Sequence, residues 1–410
     1  MKKRWFSGFL ALLLLLGTVG ASGETIVRTD KYWRPLTVGD KGYDVMVMKD
    51  RLKALEYFSF RDTSADYTEK IVPAVKKFQA CNDLEQTGMM TIEALTLLHS
   101  EKAQPSRNLE PGSYSRDASV PEPTPVPPPP EHMPERDEKG FLAAPGEYYS
   151  EDEEAGEWMY LSDTLQVRIT RHSQEKPVLI WFETHILCRD GEEFLAVENN
   201  PEKPGRTFRR PAELAQSYRL VLGFTDDFYG HRVYNKELVG PVIRNGKILG
   251  DKTYQKDMNY LPNLDLLAEY PDGTMKAYRT TEYTAQELLE QGVKNTYCFG
   301  PVLLQNSEID SRVLDKRFET RSPRQALGMI EPGHYFLLTV QGRIKESQGV
   351  GLIWMAEKMK EKNVVEALNL DGGNTVALIF RGKMLNRLAT WKNESFVRSV
   401  SSLIGIGYWR

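Results

Sequence analysis

Apolar and polar positions follow two different rhythms along the chain. From Leu36 to Leu98 the apolar residues recur at three- and four-residue spacing, the period of a helix packed on one face. Val45, Met48, Leu52 and Leu55 mark one amphipathic helix, which Tyr57 and Phe58 end. Ile71, Val72, Val75 and Phe78 mark a second, and Thr91 stands where it would N-cap a third, Ile92–Leu98. Beyond residue 140 strand patterns dominate. Leu165–Ile169 alternates, Val178–Phe182 and Arg219–Phe224 are apolar runs, and Val239–Arg244 leads into Asn245-Gly246, a strong hairpin signal. Strands are also predicted over 296–304, 334–340 and 401–408. Helices are predicted over 211–217, 285–291 and 350–362, the last with Leu352, Met355, Ala356 and Met359 on one face. The predicted fold class is α+β: a strand-rich catalytic-type domain with few helices, preceded by a small three-helix module.

Composition separates the two parts. Ten of the 23 prolines lie between Lys102 and Arg136, including the run 121–130, which cannot form a ladder or a helix and favours an extended polyproline II spacer. At the start, Lys2-Lys3-Arg4 precedes an apolar core, Phe9–Leu16, and small residues at Val19-Gly20-Ala21. That is the order of a cleaved signal peptide, the alternative being an uncleaved anchor. The expected division is therefore 1–21 signal peptide, 30–102 helical module, 103–138 linker and 140–410 main domain. The protein is expected to be exported, with no membrane span after cleavage.

The chain carries a formal charge of −4; from residue 22 onward 50 basic residues face 57 acidic ones, or −7. This argues against a nucleic-acid partner held by bulk charge. Cys81, Cys188 and Cys298 lie far apart without a CxxC, so neither a zinc site nor a disulfide framework is expected, although one pair could bridge.

Candidate chemistry concentrates near residue 370. Ala367–Leu370 reads as a buried strand, Asp371-Gly372-Gly373 as a sharp turn and Thr375–Phe380 as a second strand. This order leaves the Asp371 carboxylate and the Asn369 amide near the rim of a sheet. Asp-Gly is also ordinary hairpin chemistry, so spacing alone does not decide for a site. His185 reads as a structural strand histidine, whereas His231, in a loop after Tyr229-Gly230, is a candidate general acid. No spacing such as HxxEH or DxDxDG marks a metal. No cofactor is expected, and a divalent ion on Asp371 stays open.

Two resemblances add to these readings. Gly39-Asp40, Gly42, Val45, Leu52, Leu55-Glu-Tyr57-Phe58, Ala74–Gln79, Leu84, Gly88 and Thr91 resemble, in order, the peptidoglycan-binding domain 1 family. Lys49 departs from the glutamine usual in its first helix, and the loop 59–66 lacks the usual glycine. The resemblance implies a tether to peptidoglycan or the cell wall through residues 30–102. Asn369-Leu370-Asp371-Gly372-Gly373 resembles the signature of the phosphodiester glycosidase family. Ser322–Gly328, Gly342-Arg343 with Ser347–Gly349, Phe299–Leu303, Val242–Gly246 and Val397–Val400 also resemble its ordered motifs. Three positions depart from it: Thr225-Asp226-Asp227 loses an asparagine, Gln341 replaces an acid, and Asn374 replaces a glycine.

This second resemblance implies hydrolysis of a sugar-1-phosphate diester, with free sugar and a phosphomonoester as products. Asp371 would then stabilise or attack the sugar carbon, with Asp226 and His231 as further catalytic candidates. Arg324, Arg343 and Arg398 would hold phosphate, while Asn369, Asn374 and the Gly372 and Gly373 backbone would orient the substrate. Asp226 and Asp227 are adjacent, so on a strand only one could face a site. A secreted, cell-wall-associated hydrolase of a phosphate-linked glycan is the leading expectation. An inactive glycan-binding protein and an envelope scaffold are the alternatives.

Overall fold

The structure, a computed structural model, describes residues 35–40, 42–60, 66–100, 102–107, 133–189, 192–200, 204–226, 238–253, 264–388 and 397–409. The expected signal peptide, the proline run 121–130, Asp227 and His231 lie outside the described residues.

The three predicted helices of the small module are present as Tyr43–Ala54, Val72–Cys81 and Ile92–Leu98. Their apolar faces meet in one core around Val45, Met48, Leu52, Val75, Phe78 and Leu95. Thr91 caps the third helix, its side chain accepting from the Ala94 N–H at 3.1 Å. Gln79 explains its place in the motif. Its amide donates to Met89 O at 2.7 Å and accepts from the Gly88 N–H at 2.9 Å, so one side chain clamps the turn before the third helix. The departing Lys49 is buried and sends its Nζ to Asp66 O at 3.2 Å.

Among the described residues the larger part has four sheets, two of which stack between a pair of helices. Among the described residues, one sheet has nine strands and contains Leu165–Glu175, Val178–Cys188, His334–Val340, Arg324–Glu331, Glu366–Asn369 and Val302–Gln305 as consecutive neighbours. A five-stranded sheet faces it, with Leu378–Phe380, Leu220–Phe224 and Ser402–Tyr408 side by side. Val167, Phe182, Leu337 and Leu368 of the first sheet meet Val221, Phe224, Phe380 and Ile404 of the second. A strand covered on both faces needs apolar residues at nearly every position, and Leu220–Phe224 is buried throughout. Helix Leu352–Glu361 covers the far face of the large sheet through Met355, Ala356 and Met359. Helix Pro211–Tyr218 covers the far face of the smaller sheet through Leu214 and Ala215.

The Asn245-Gly246 hairpin forms as predicted, joining Gly240–Arg244 to Lys247–Lys252 with both turn residues at positive φ, +51° and +70°. Two predictions are corrected. The single strand expected over 296–304 is two strands in different sheets, Asn295–Phe299 and Val302–Gln305, separated at Gly300, whose φ of +99° suits only glycine. The turn at Asp371 joins no hairpin either. Strand Glu366–Asn369 already has Arg324–Glu331 on one edge and Val302–Gln305 on the other, so the chain that follows must leave the sheet. It crosses to the five-stranded sheet and continues as Leu378–Phe380. The three cysteines are all free thiols, so no pair bridges.

Candidate functional site

The crossing from residue 370 to 377 is held from beneath. Leu370 N–H donates to Gln325 O at 2.8 Å and Gly373 N–H to Pro323 O at 3.0 Å. The Gln325 side chain, fully buried, then ties the sheets together. Its Nε2 donates to Thr339 Oγ1 and to Ala377 O, each at 2.8 Å, and its Oε1 accepts from the Thr225 N–H at 2.9 Å. Thr225 completes the clasp: its hydroxyl donates to Thr375 O at 2.9 Å and accepts from the Ala377 N–H at 2.8 Å. The segment carrying Asp371 is thus a fixed bridge between two sheets.

On this bridge Asp371 is half-buried, and its Oδ1 accepts from the Gly372 N–H at 2.8 Å. Two arginines approach from neighbouring segments. Arg343 donates from Nη1 to Asn374 Oδ1 at 3.0 Å and from Nη2 to Ser322 Oγ at 3.3 Å. A Cβ on Gly373 would stand 3.3 Å from its Nη1, and Gly373 sits at φ +64°. Arg324 lies on the Gly372 side, its Nη1 3.8 Å from where a Cβ on that glycine would be, and its Nη2 donates to Thr320 O at 3.1 Å. Burial, and then the neighbouring Arg343 guanidinium, lower the pKa of Arg324. Its Nε is buried without a hydrogen-bond partner. Neither guanidinium is paired with a carboxylate among the described residues. Two cations held this close can receive an anion, and planar forks suit phosphate oxygens. Arg343 itself is held at φ +63°, an uncommon conformation for a non-glycine residue that suits a role in the site.

Of the residues singled out from sequence, Asp371, Arg324, Arg343, Gly372, Gly373 and Asn374 gather here. Arg398 joins through its backbone, its N–H donating to Asn374 O at 3.0 Å, with the side chain exposed. The N–H groups of Gly372 and Gly373 are both taken up internally, by Asp371 and Pro323. The glycines therefore serve the site by lacking side chains where Pro323 O and Arg343 come close. Asn369 is buried beneath and donates from Nδ2 to Gly300 O at 2.8 Å, while its Oδ1 has no hydrogen-bond partner among the described residues. Asp226 is buried and ion-paired with Arg244 Nη2 at 3.3 Å, so its carboxylate is committed to a cation of the neighbouring hairpin. His185, set aside as structural, faces His334 with 3.1 Å between ring nitrogens, and burial lowers its pKa. No group of three or more His, Cys, Asp or Glu side chains is gathered for a metal among the described residues.

Gln325 and Thr375 hold this site and were not among the candidates. The only signal for Gln325 is an amide beside an apolar run, Ala326–Ile330, in a strand whose every second residue faces the core. The three departing residues are all used internally. Thr225 is part of the clasp, Asn374 accepts from Arg343, and Gln341 Oε1 accepts from the Arg387 N–H.

Residues 218–407 match the family model described as phosphodiester glycosidase, and residues 41–98 match that of a peptidoglycan binding domain. A SPbeta prophage-derived uncharacterized protein of Bacillus subtilis, YomE, is 27% identical over 176 residues, 42% of this chain. The match spans 26% of that relative's own length. Among solved structures, the chain is similar to the zebrafish N-acetylglucosamine-1-phosphodiester alpha-N-acetylglucosaminidase catalytic domain auto-inhibited by its pro-peptide. The identity is 17%, the TM-score 0.47, and the coverage 61% of this chain and 85% of that one. A hypothetical protein from Synechocystis matches at 14% identity and TM-score 0.42, over 64% of each chain. By the two family models, the chain carries a domain of the phosphodiester glycosidase family at residues 218–407, preceded by a peptidoglycan binding domain at 41–98.

Proposed function

We propose that this protein is an exported, wall-associated glycosidase that cleaves sugar-1-phosphate diesters on a surface or extracellular glycan. The observation that carries this reading is the convergence of Arg324 and Arg343, without carboxylate partners, on the bridge that bears Asp371. Cleavage at the anomeric carbon makes two demands. Positive charge growing on the sugar needs a nearby carboxylate, as in other reactions with oxocarbenium-like transition states. The departing phosphate needs fixed cations, which strengthen as its charge grows. Asp371 meets the first demand as nucleophile, base or electrostatic stabiliser. Arg324 and Arg343 meet the second. Asn374 orients Arg343, and Arg398 reaches the same segment. The small module would place this chemistry against the wall, and the family model at 41–98 supports that tether.

A second reading, a glycan-binding protein without turnover, is favoured by one observation. The Thr225 hydroxyl, at a position where the family carries an asparagine, is spent on Thr375 and Ala377 and offers nothing to a substrate. Turnover separates the two. With the purified chain and the methyl diester of α-N-acetylglucosamine-1-phosphate, free sugar should appear with time. Asp371→Ala should lower the rate by roughly 10²–10⁴-fold, the range for loss of a catalytic acid or base. Binding of the diester without sugar release by either protein would sink the hydrolase reading for this sugar and favour the binding one.

A further inference from the structure

Charge is concentrated around the arginine pair even though the mature chain is acidic. Arg321 precedes Ser322, the residue whose Oγ receives Arg343 Nη2, and Arg321 itself donates from Nη1 to Gln348 Oε1. Lys345 stands in the turn closed by Ile344 and Ser347, two residues past Arg343. Two residues span at most about 7 Å of chain, and a lysine side chain adds its own reach. Both Arg321 and Lys345 are exposed, and neither is ion-paired among the described residues. The acid next to Lys345 is drawn elsewhere: Glu346 Oε1 faces Arg387 Nη1 at 3.9 Å.

A charge count then separates two kinds of substrate. One phosphodiester carries a single negative charge, and Asp371 adds another. Arg324 and Arg343 balance these two. Arg321 and Lys345 are surplus to a small diester, but they match the phosphates on either side in a chain of repeats. Exposed cations are also the type that captures a polyanion by displacing its counterions, with a strong dependence on salt.

We propose that the substrate is a polyanionic glycan with a phosphodiester in each repeat, and that Arg321 and Lys345 hold the phosphates flanking the one bound by Arg324 and Arg343. This deepens the reading above and rests on its placement of a phosphate at the arginine pair. The test uses the full chain and the double variant Arg321→Gln/Lys345→Gln. Mobility is measured in native gels containing a polymer of α-N-acetylglucosamine-1-phosphate or, as a neutral control, dextran. The polymer alone should retard the chain, less so as salt rises, and the double variant should bind it at least fivefold more weakly with a shallower salt dependence. Hydrolysis of the single methyl diester should be unchanged in the double variant. Equal retardation of both proteins, retardation of neither, or equal loss on polymer and single diester would overturn the proposal. Retardation that depends on Arg321 and Lys345 without turnover of either glycan upholds the flanking-phosphate contacts on a bound polyanion and removes the hydrolase reading. Turnover of the single diester with unaltered retardation of the double variant does the reverse.

Discussion

Gln325 shows how much one side chain can decide at the residue scale. Its amide is fully buried and meets Thr225 N–H, Thr339 Oγ1 and Ala377 O. Leucine of similar size would remove three buried hydrogen bonds, leaving the Thr225 N–H only its 3.2 Å bond to Ala377 O, and each such bond is worth about 0.5–1.5 kcal/mol. Gln325→Leu should therefore unfold at lower denaturant, with a loss of about 2–4 kcal/mol. A loss within 0.5 kcal/mol of zero would mean that the clasp is replaceable. Asp371 and the two arginines were legible as candidates because each sits in a short motif of its own. Gln325 was not, since its partners come from three other segments between 14 and 100 residues away.

At the scale of elements, strand Asp265–Glu269 carries two buried acids into the core of the larger part. Glu269 accepts from Asn295 Nδ2 at 3.0 Å and from the Tyr297 hydroxyl at 2.9 Å, yet burial still raises its pKa from the ordinary 4.5 to about 7. The folded protein thus holds this proton where the unfolded chain has released it. The resulting stability is fully present below about pH 4.5 and is lost as the pH rises through 7. Glu269→Gln keeps the shape without the charge. Between pH 5 and 8 it should escape a loss of about 2–3 kcal/mol that the wild-type chain suffers, as read from denaturation at each pH. Parallel pH profiles for the two proteins would show that Glu269 does not titrate in this range. The strands on either side of Gly300 teach a related lesson. An apolar run predicts burial, but not which sheet buries it.

For the whole molecule, the small module has an apolar core of its own around Phe78, separate in sequence from the sheets that carry Asp371. Phe78 is fully buried there, and a charge in its place has no partner. Phe78→Asp should abolish co-sedimentation of the chain with purified peptidoglycan while leaving its action on a soluble diester within about twofold, since Phe78 packs in the module's own cluster and not in the one that joins Met46 to Leu214 and Ala215. Loss of both together would mean that the two parts fold as one unit.

Local patterns of period and punctuation determined much of this protein from sequence alone. The three helices of the module, the Asn245-Gly246 hairpin and helix Leu352–Glu361 all follow from neighbours within a few residues. The gathering of Asp371 with Arg324 and Arg343 in one site was an expectation that only the tertiary structure could decide. Strand Glu366–Asn369 has both edges occupied, so Asp371-Gly372-Gly373 becomes a bridge between sheets instead of a hairpin. Pairing is a property of two segments, and the bridge's partners Arg343 and Thr225 stand 31 and 150 residues from it along the chain. That separation is why the motif named the residues and the fold alone placed the charges around them.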